Sequence, residues 1–248
     1  MILARPGDVQ DFSRYEFKYL LREDQRRSVE AEVQHFMQYD GYVDPMLGNQ
    51  YFVRSLYFDS EDASNFYEKI DGLRSRKKYR IRTYATSESD DAPVFLELKG
   101  RHNQRTYKHR VSIDPKDLPL FCQDAPSLIS LYPGVQLVEA FAFDTLRRRL
   151  RPRVLVDYQR RPYTSQFDVN FRLTFDQAIC SIATDLLFPQ DPGRFRQCVA
   201  GWTVLEIKFH RRIPAWFHRI LQAYQLRSVS ISKFVVGMKS CGLATDLS

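Results

Sequence analysis

Three places in this chain set a glutamate and a lysine two residues apart inside an apolar run: Glu16-Phe17-Lys18, Glu97-Leu98-Lys99 and Glu206-Ile207-Lys208. A fourth stretch, Lys78-Tyr79-Arg80-Ile81-Arg82-Thr83-Tyr84, repeats the spacing with cations alone. In a β-strand, residues two apart point to the same face, so each segment aims its charges one way and its apolar residues the other. The same parity recurs at Lys108 with Arg110, and at Arg160 and Arg172. An ordinary wet face of an antiparallel sheet is the plain alternative, but such a face interleaves Ser, Thr, Gln and Asp more freely. The pattern therefore points to an enclosed, mostly cationic surface, and the ligand that suits one is a multiply charged anion such as a polyphosphate.

The glutamates admit two roles. A carboxylate two residues from a lysine on one face can neutralise it. It can also hold a hard divalent cation such as Mg²⁺ or Mn²⁺, which takes oxygen ligands and bridges phosphate oxygens. Three repeats of the motif leave both readings open. No other constellation competes. The five histidines form no triad or metal spacing, and no phosphate-cradling glycine loop or nucleophile elbow is present. Aromatic residues do not alternate with bases as in single-strand nucleic-acid binders. The basic run Arg147-Arg148-Arg149 reads as a solvated helix end rather than a nucleic-acid patch.

The elements that must carry these residues follow from periodicity. Strands are expected at residues 15–21, 51–59, 78–85, 94–100, 106–113, 153–160, 171–175, 178–184 and 203–210. Helices are expected at 22–38, 63–70, 135–150, 214–224 and 233–239, with proline-broken helical pieces over 116–131. Loops or hairpin connections fall at 41–50, 86–91 and 101–105. No repeat, low-complexity tract or linker divides the chain, so residues 1–248 read as a single domain. The architecture expected is α+β: a closed antiparallel β-barrel of about eight strands with helices packed at its ends and sides.

Composition agrees with this. Among 248 residues, 44% are hydrophobic and 14% aromatic, enough for a packed core, and 18 Phe and 14 Tyr favour strands. Lys plus Arg number 37 against 30 Asp plus Glu, a net charge of +7, which fits an anionic partner without choosing one. The four cysteines make no C-x-x-C pair and read as buried free thiols of a reducing compartment. Residues 1–10 lack the apolar core of a secretion signal, and no run approaches a membrane span. A cytoplasmic protein is expected, with docking on a membrane partner left open.

Taken in order, these segments give the chain a resemblance to the VTC domain, the polyphosphate polymerase module of the vacuolar transporter chaperone family within the triphosphate tunnel metalloenzymes. The matching stretches run from Tyr15-Glu16-Phe17-Lys18-Tyr19 through Leu56-Tyr57-Phe58-Asp59, Tyr79-Arg80-Ile81-Arg82-Thr83-Tyr84 and Phe95-Leu96-Glu97-Leu98-Lys99. They continue through Tyr107-Lys108-His109-Arg110-Val111, Asp157-Tyr158-Gln159-Arg160, Phe171-Arg172-Leu173-Thr174-Phe175-Asp176 and Val204-Leu205-Glu206-Ile207-Lys208-Phe209 to Ser232-Lys233-Phe234.

The resemblance implies a tunnel-shaped barrel in which ATP donates its terminal phosphoryl group to a growing polyphosphate. It implies catalytic roles for Arg80, Arg82, Lys99, Arg160, Arg172 and Lys208, and phosphate binding by Lys18, Lys108, Arg110, Tyr158 and Lys233. It also implies a Mn²⁺ or Mg²⁺ on Glu206, with Glu97 as a second ligand. ATP and polyphosphate or pyrophosphate are then the partners, and nucleic acid is not. Two departures are visible. An E-x-E-x-K first strand, usual in hydrolytic tunnel enzymes, has Arg14 in place of its first glutamate, which turns the reading toward the polymerase branch. A second lysine near the C-terminus of the eukaryotic pattern is replaced by Ser230. The implied form is a stand-alone, bacterial-style member. A triphosphatase using the same tunnel, and a non-catalytic module that senses polyphosphate or inositol phosphates, are the alternatives.

Overall fold

A computed structural model describes residues 15–41, 43–89, 93–103, 105–165, 167–168, 170–190 and 194–246. The expectations for residues 1–10 and for Arg14 lie outside the described residues. The first half runs β1 (Tyr15–Arg22), α1 (Glu23–Gln34), β2 (Met37–Tyr39), β3 (Tyr51–Asp59), α2 (Ser64–Ile70), β4 (Ser75–Thr83), β5 (Val94–His102) and β6 (Arg105–Ile113). The short helices α3 (Leu118–Gln123) and α4 (Leu128–Leu131) and the longer α5 (Gln136–Arg148) lead into β7 (Arg151–Ser165) and β8 (Arg172–Ala183). Strands β9 (Arg196–Gln197) and β10 (Trp202–Phe209) and helices α6 (Ala215–Ala223) and α7 (Lys233–Ser240) complete the chain.

Ten strands form one antiparallel sheet in the order β1-β10-β8-β7-β3-β4-β5-β6, with β2 and β9 added beside β7 and β8. This corrects the expected closed barrel of about eight strands. The path has eight members, but among the described residues its end strands β1 and β6 share no ladder. A side-chain contact bridges the gap from the strand next to β6, with Lys99 Nζ on β5 lying 3.1 Å from Glu16 Oε2 on β1. The free edge of β1 is partly covered by the chain entering α7, where the Val229 amide donates to the Lys18 carbonyl at 2.8 Å.

Alternation fixes what each face does. Outward residues of β3–β6, among them Leu56, Phe58, Tyr79, Ile81, Leu96 and Leu98, pack against Phe121, Leu128, Val138 and Phe141 of α3–α5. Outward residues of β1, β8 and β10, among them Tyr19, Leu21, Leu173, Phe175, Leu205 and Ile207, pack against Val29 and Val33 of α1 and Phe217 and Ile220 of α6. A third cluster lies inside the curl of the sheet, where Phe234, Val235 and Met238 of α7 meet Val53, Tyr57, Val156, Tyr158 and Val204. Gly237 permits that approach, because a Cβ there would sit 2.9 Å from the Val156 side chain. Helix α7 thus stops one end of the interior and brings Lys233 into it.

Several boundaries move. The strands expected at 171–175 and 178–184 are one strand, β8, since Ala178 adopts φ +50° and lets the ladder continue past an irregular step in its pairing with β7. The helix expected to reach residue 38 ends at Gln34, and Met37–Tyr39 pairs with β7. Strand β7 continues to Ser165, well past the expected residue 160. The cysteines are free and half-buried rather than buried. No described helix is long and apolar enough to cross a membrane.

Candidate active site: a cationic tunnel

Strand register brings the alternating charges together. On β4 and β5, Arg80 stands opposite Glu97, and Glu97 stands opposite Arg110 on β6. On the other side, Lys18 of β1 stands opposite Glu206 of β10, and Lys208 stands opposite Arg172 of β8. Arg160 of β7 stands opposite Asp176. A cavity of about 360 Å³ is lined by Glu16, Lys18, Lys78, Arg80, Arg82, Lys99, Lys108, Tyr158, Arg160, Arg172, Glu206, Lys208 and Lys233, with Asp40 also on its wall. All of these except Glu16, Lys78 and Asp40 were assigned to the site by sequence, so eleven of the thirteen assigned residues face one enclosure. Glu97 and Arg110 stand directly behind its wall, in contact with Arg80 and Lys108 or with Glu97 itself.

Glu97 is the hub of the β4–β6 side. Arg80 approaches it with Nε at 2.7 Å, Lys108 Nζ with the other oxygen at 2.8 Å, and Arg110 and Arg82 stand at 3.5 and 3.7 Å. Burial favours the neutral acid, but Arg80, Arg82 and Lys108 outweigh it and hold the Glu97 carboxyl well below the usual range. Arg82 is 6% exposed and also donates to Ser55 Oγ at 3.1 Å and Tyr158 Oη at 3.2 Å. Arg80 donates to Tyr57 Oη at 3.0 Å. Burial would raise the Tyr57 phenol, yet Arg80 and Arg82 leave it below its ordinary value. The lysines here respond oppositely. Burial, only partly offset by Glu97 and aided by Arg80 and Arg82, brings Lys108 down to about 7. Burial likewise lowers Lys99, where Glu16 opposes the shift and Lys18 adds to it.

The facing side carries more carboxylate. Lys208 Nζ lies 2.6 Å from Glu206, and Lys18 Nζ lies 3.1 Å from Glu16 and 3.8 Å from the second Glu206 oxygen. Arg160 grips Asp176 with two parallel bonds of 2.6 and 2.8 Å, and Lys233 of α7 reaches the same carboxylate. Arg160 and Lys233 also lie over the Tyr158 ring, 5.2 and 4.7 Å from its centre. Arg172 is exposed on the tunnel wall beside Lys208. Burial works against ionisation of Glu206, but Lys208, Lys18, Arg160 and Lys233 hold it well below the carboxylate range.

Sequence reasoning passed over several of these groups. Glu16 and Lys78 were visible as motif members but not placed in the site. Asp176 shares the parity of Arg172 and Thr174, a signal hidden by breaking the strand at that point. Tyr57 and Ser55 lie on β3, where the inward residues Tyr51, Val53, Ser55 and Tyr57 carry no charge and so gave no pattern.

Among the described residues, no three His, Cys, Asp or Glu side chains gather into a ready-made metal cage. Glu206 still fits a shared site. One of its oxygens stands 3.8 Å from Lys18, beyond hydrogen-bond distance, and its charge opposes ionisation of both Glu16 and Asp176, which puts it within electrostatic reach of two further carboxylates while the surrounding cations keep all three ionised. Mg²⁺-type ions are often held by one or two carboxylates plus substrate phosphates.

The chain is thus an antiparallel sheet curled around inward cations and stopped by a C-terminal helix. The family model of the VTC domain matches residues 13–241, and the chain belongs to that family. Its fold is similar to that of a Bacillus halodurans protein described as a candidate adenylate cyclase, with TM-score 0.54 and 14% identity over 89% of this chain and 96% of that one. It is also similar to a Hippeastrum protein described as a candidate adenylyl cyclase with a dominant triphosphatase activity, with TM-score 0.51 and 15% identity over 91% of this chain and 95% of that one. No curated protein matches the sequence.

Proposed function

We propose that this protein is a metal-assisted polyphosphate polymerase, transferring the γ-phosphoryl group of ATP to the end of an inorganic polyphosphate chain inside the tunnel. The observation that carries the reading is the convergence of the cations of β1, β4–β8, β10 and α7 on one cavity, in a chain of the VTC family. Phosphoryl transfer needs alignment and charge neutralisation more than covalent chemistry. Arg80, Arg82 and Arg160 would grip phosphate oxygens in pairs, while Lys99, Lys108, Lys208, Lys18 and Lys233 supply point charges. A terminal oxygen of the acceptor chain attacks Pγ, the bond from Pγ to the bridging oxygen breaks, and the electron pair leaves with ADP. The acceptor oxygen is already anionic, so no side chain has to remove a proton from it. Walls that exclude water and align the acceptor favour transfer over hydrolysis.

Glu206 would hold a Mn²⁺ or Mg²⁺ ion, whose charge would offset that developing on the departing diphosphate. Glu97, enclosed by four cations, is better suited to ordering the arginines than to metal binding. Tyr158 orients Arg82 through its hydroxyl and backs Arg160 and Lys233 with its ring. Triphosphate hydrolysis is the second reading, favoured by Glu16 standing near Glu206 as a further carboxylate. The deciding experiment incubates the protein with ATP and Mn²⁺ and assays polyphosphate, orthophosphate and ADP separately. Long phosphate chains with ADP support the polymerase. Stoichiometric orthophosphate without chains replaces it with the triphosphatase, and binding without ADP replaces both with a sensor.

A further inference from the structure

The inward ladder of β4, β5 and β6 does not stop at the tunnel. Its tiers run Arg82 with Phe95, then Arg80 with Glu97 and Arg110, then Lys78 with Lys99 and Lys108, then Arg76 with Arg101. The Arg80 tier alternates in sign. The next places three lysines side by side across three strands, and the last sets two arginines directly opposite one another. Like charges directly opposite are unfavourable in an antiparallel pair. Among the described residues, Lys69, Arg76, Lys78 and Arg101 make no ion pair. Lys78 bonds Ser232 Oγ at 3.3 Å, Lys69 bonds Ser230 Oγ at 3.0 Å, and Arg76 and Arg101 turn to the carbonyls of Leu73 and Asn103. The carboxylate acting on Arg76 is Glu68, which is itself engaged by Arg148.

These groups surround two cavities outside the tunnel. One of about 320 Å³ is walled by Lys69, Arg76, Lys77 and Arg101, and shares Glu16, Lys18, Lys78, Lys99 and Ser232 with the tunnel itself. The next, of about 580 Å³, adds Arg74 and Asn103. The Lys99–Glu16 contact across the unclosed seam stands between interior and exterior. Burial and mutual repulsion depress the proton affinities of Lys69 and Arg76, and Lys78 is lowered further by burial with Lys99, Lys18 and Arg80 around it. The row from Arg82 to Arg76 spans about 20 Å at strand spacing, longer than one triphosphate group.

We infer that Lys69, Arg74, Arg76 and Arg101 form an exterior site for a linear chain of phosphates, continuous with the tunnel past Lys99 and Glu16, which retains the product polymer between successive transfers. This rests on the polymerase reading for its biological use, but the binding site can be tested without it. The variant is the double substitution Arg76→Gln with Arg101→Gln, which touches neither Glu97 nor Glu206. Its melting temperature should equal or exceed that of the parent, because a like-charge pair is relieved.

Titrations would use long-chain polyphosphate, tripolyphosphate and a single-stranded oligonucleotide. The expected result is a loss of about tenfold or more in affinity for long-chain polyphosphate, with tripolyphosphate affinity unchanged. ATP consumption should hold while product chains shorten. Unchanged long-chain affinity overturns the site. An equal loss for tripolyphosphate would place these arginines in the tunnel's own binding. A parent protein that binds the oligonucleotide as tightly as polyphosphate through these arginines would make this a general polyanion surface and overturn the assignment. Should the parent make no chains at all, the polymerase reading fails, while the two titrations still decide the exterior site.

Discussion

On the β4–β5–β6 wing of the sheet, the inward ladder sets Lys78, Arg80, Arg82, Lys99, Lys108 and Arg110 against one carboxylate, Glu97. On the β1–β10–β8–β7 wing, Lys18, Lys208, Arg172 and Arg160, joined by Lys233 of α7, face three carboxylates, Glu16, Glu206 and Asp176. The first wing carries a large unbalanced positive charge, and its lysines are pushed toward losing their protons. The second is closer to balance, and its carboxylates stay ionised. The difference gives the tunnel a polarity. Under the proposed function, an anion would gain most against β4–β6, and a divalent cation would be held at Glu206 on β10.

The largest effect expected on breaking this contrast is structural. Asp176 is fully buried between Arg160 and Lys233. Asp176→Asn leaves two buried cations without a counter-charge, and should lower unfolding free energy by about 3–5 kcal/mol, read by denaturant titration. Glu97→Gln should do comparable damage in the empty protein. Saturating tripolyphosphate should restore much of the Glu97→Gln loss, because the ligand takes the place of the missing negative charge.

Next comes binding. Arg82→Ala should weaken tripolyphosphate by about 1.5–3 kcal/mol, roughly tenfold or more, by calorimetry. Lys208→Ala should cost less, since Glu206 already offsets Lys208 at 2.6 Å. Equal losses would remove the polarity argued for here.

The smallest effect is in pH. Lys108 ionises at about 7 in the empty tunnel, and a bound polyanion raises that value, so binding takes up a proton. The affinity for tripolyphosphate should therefore fall as pH rises above about 7, by at most tenfold per unit for one proton. Lys108→Arg, which stays charged throughout, should flatten that dependence.

The alternation of Glu16 with Lys18, Arg80 with Arg82, and Glu206 with Lys208 was enough to place these residues on one enclosed face, because strand parity is a local property. Closure is not. Whether β1 and β6 meet depends on accumulated twist and on the segment 229–232 that covers the β1 edge, neither of which the hydrophobic pattern encodes. The same limit hid Asp176, whose strand continues only because Ala178 takes a left-handed conformation. It also hid Tyr57 and Ser55, which act through Arg80 and Arg82 from a run of β3 whose inward residues 51 to 57 are uncharged. Helix α7 was legible as a helix, but its insertion into the sheet depends on Gly237 meeting Val156, a contact between residues far apart in the chain.

The division between the wings is tested most directly by titrating tripolyphosphate into Glu206→Gln with and without Mn²⁺. The parent should bind more tightly when Mn²⁺ is present. The variant should keep its metal-free affinity within a few-fold, since the cations of β4–β6 remain, and should lose the enhancement by Mn²⁺. An enhancement that survives in the variant would show that Glu206 only neutralises Lys208 and Lys18, and that the metal is held elsewhere.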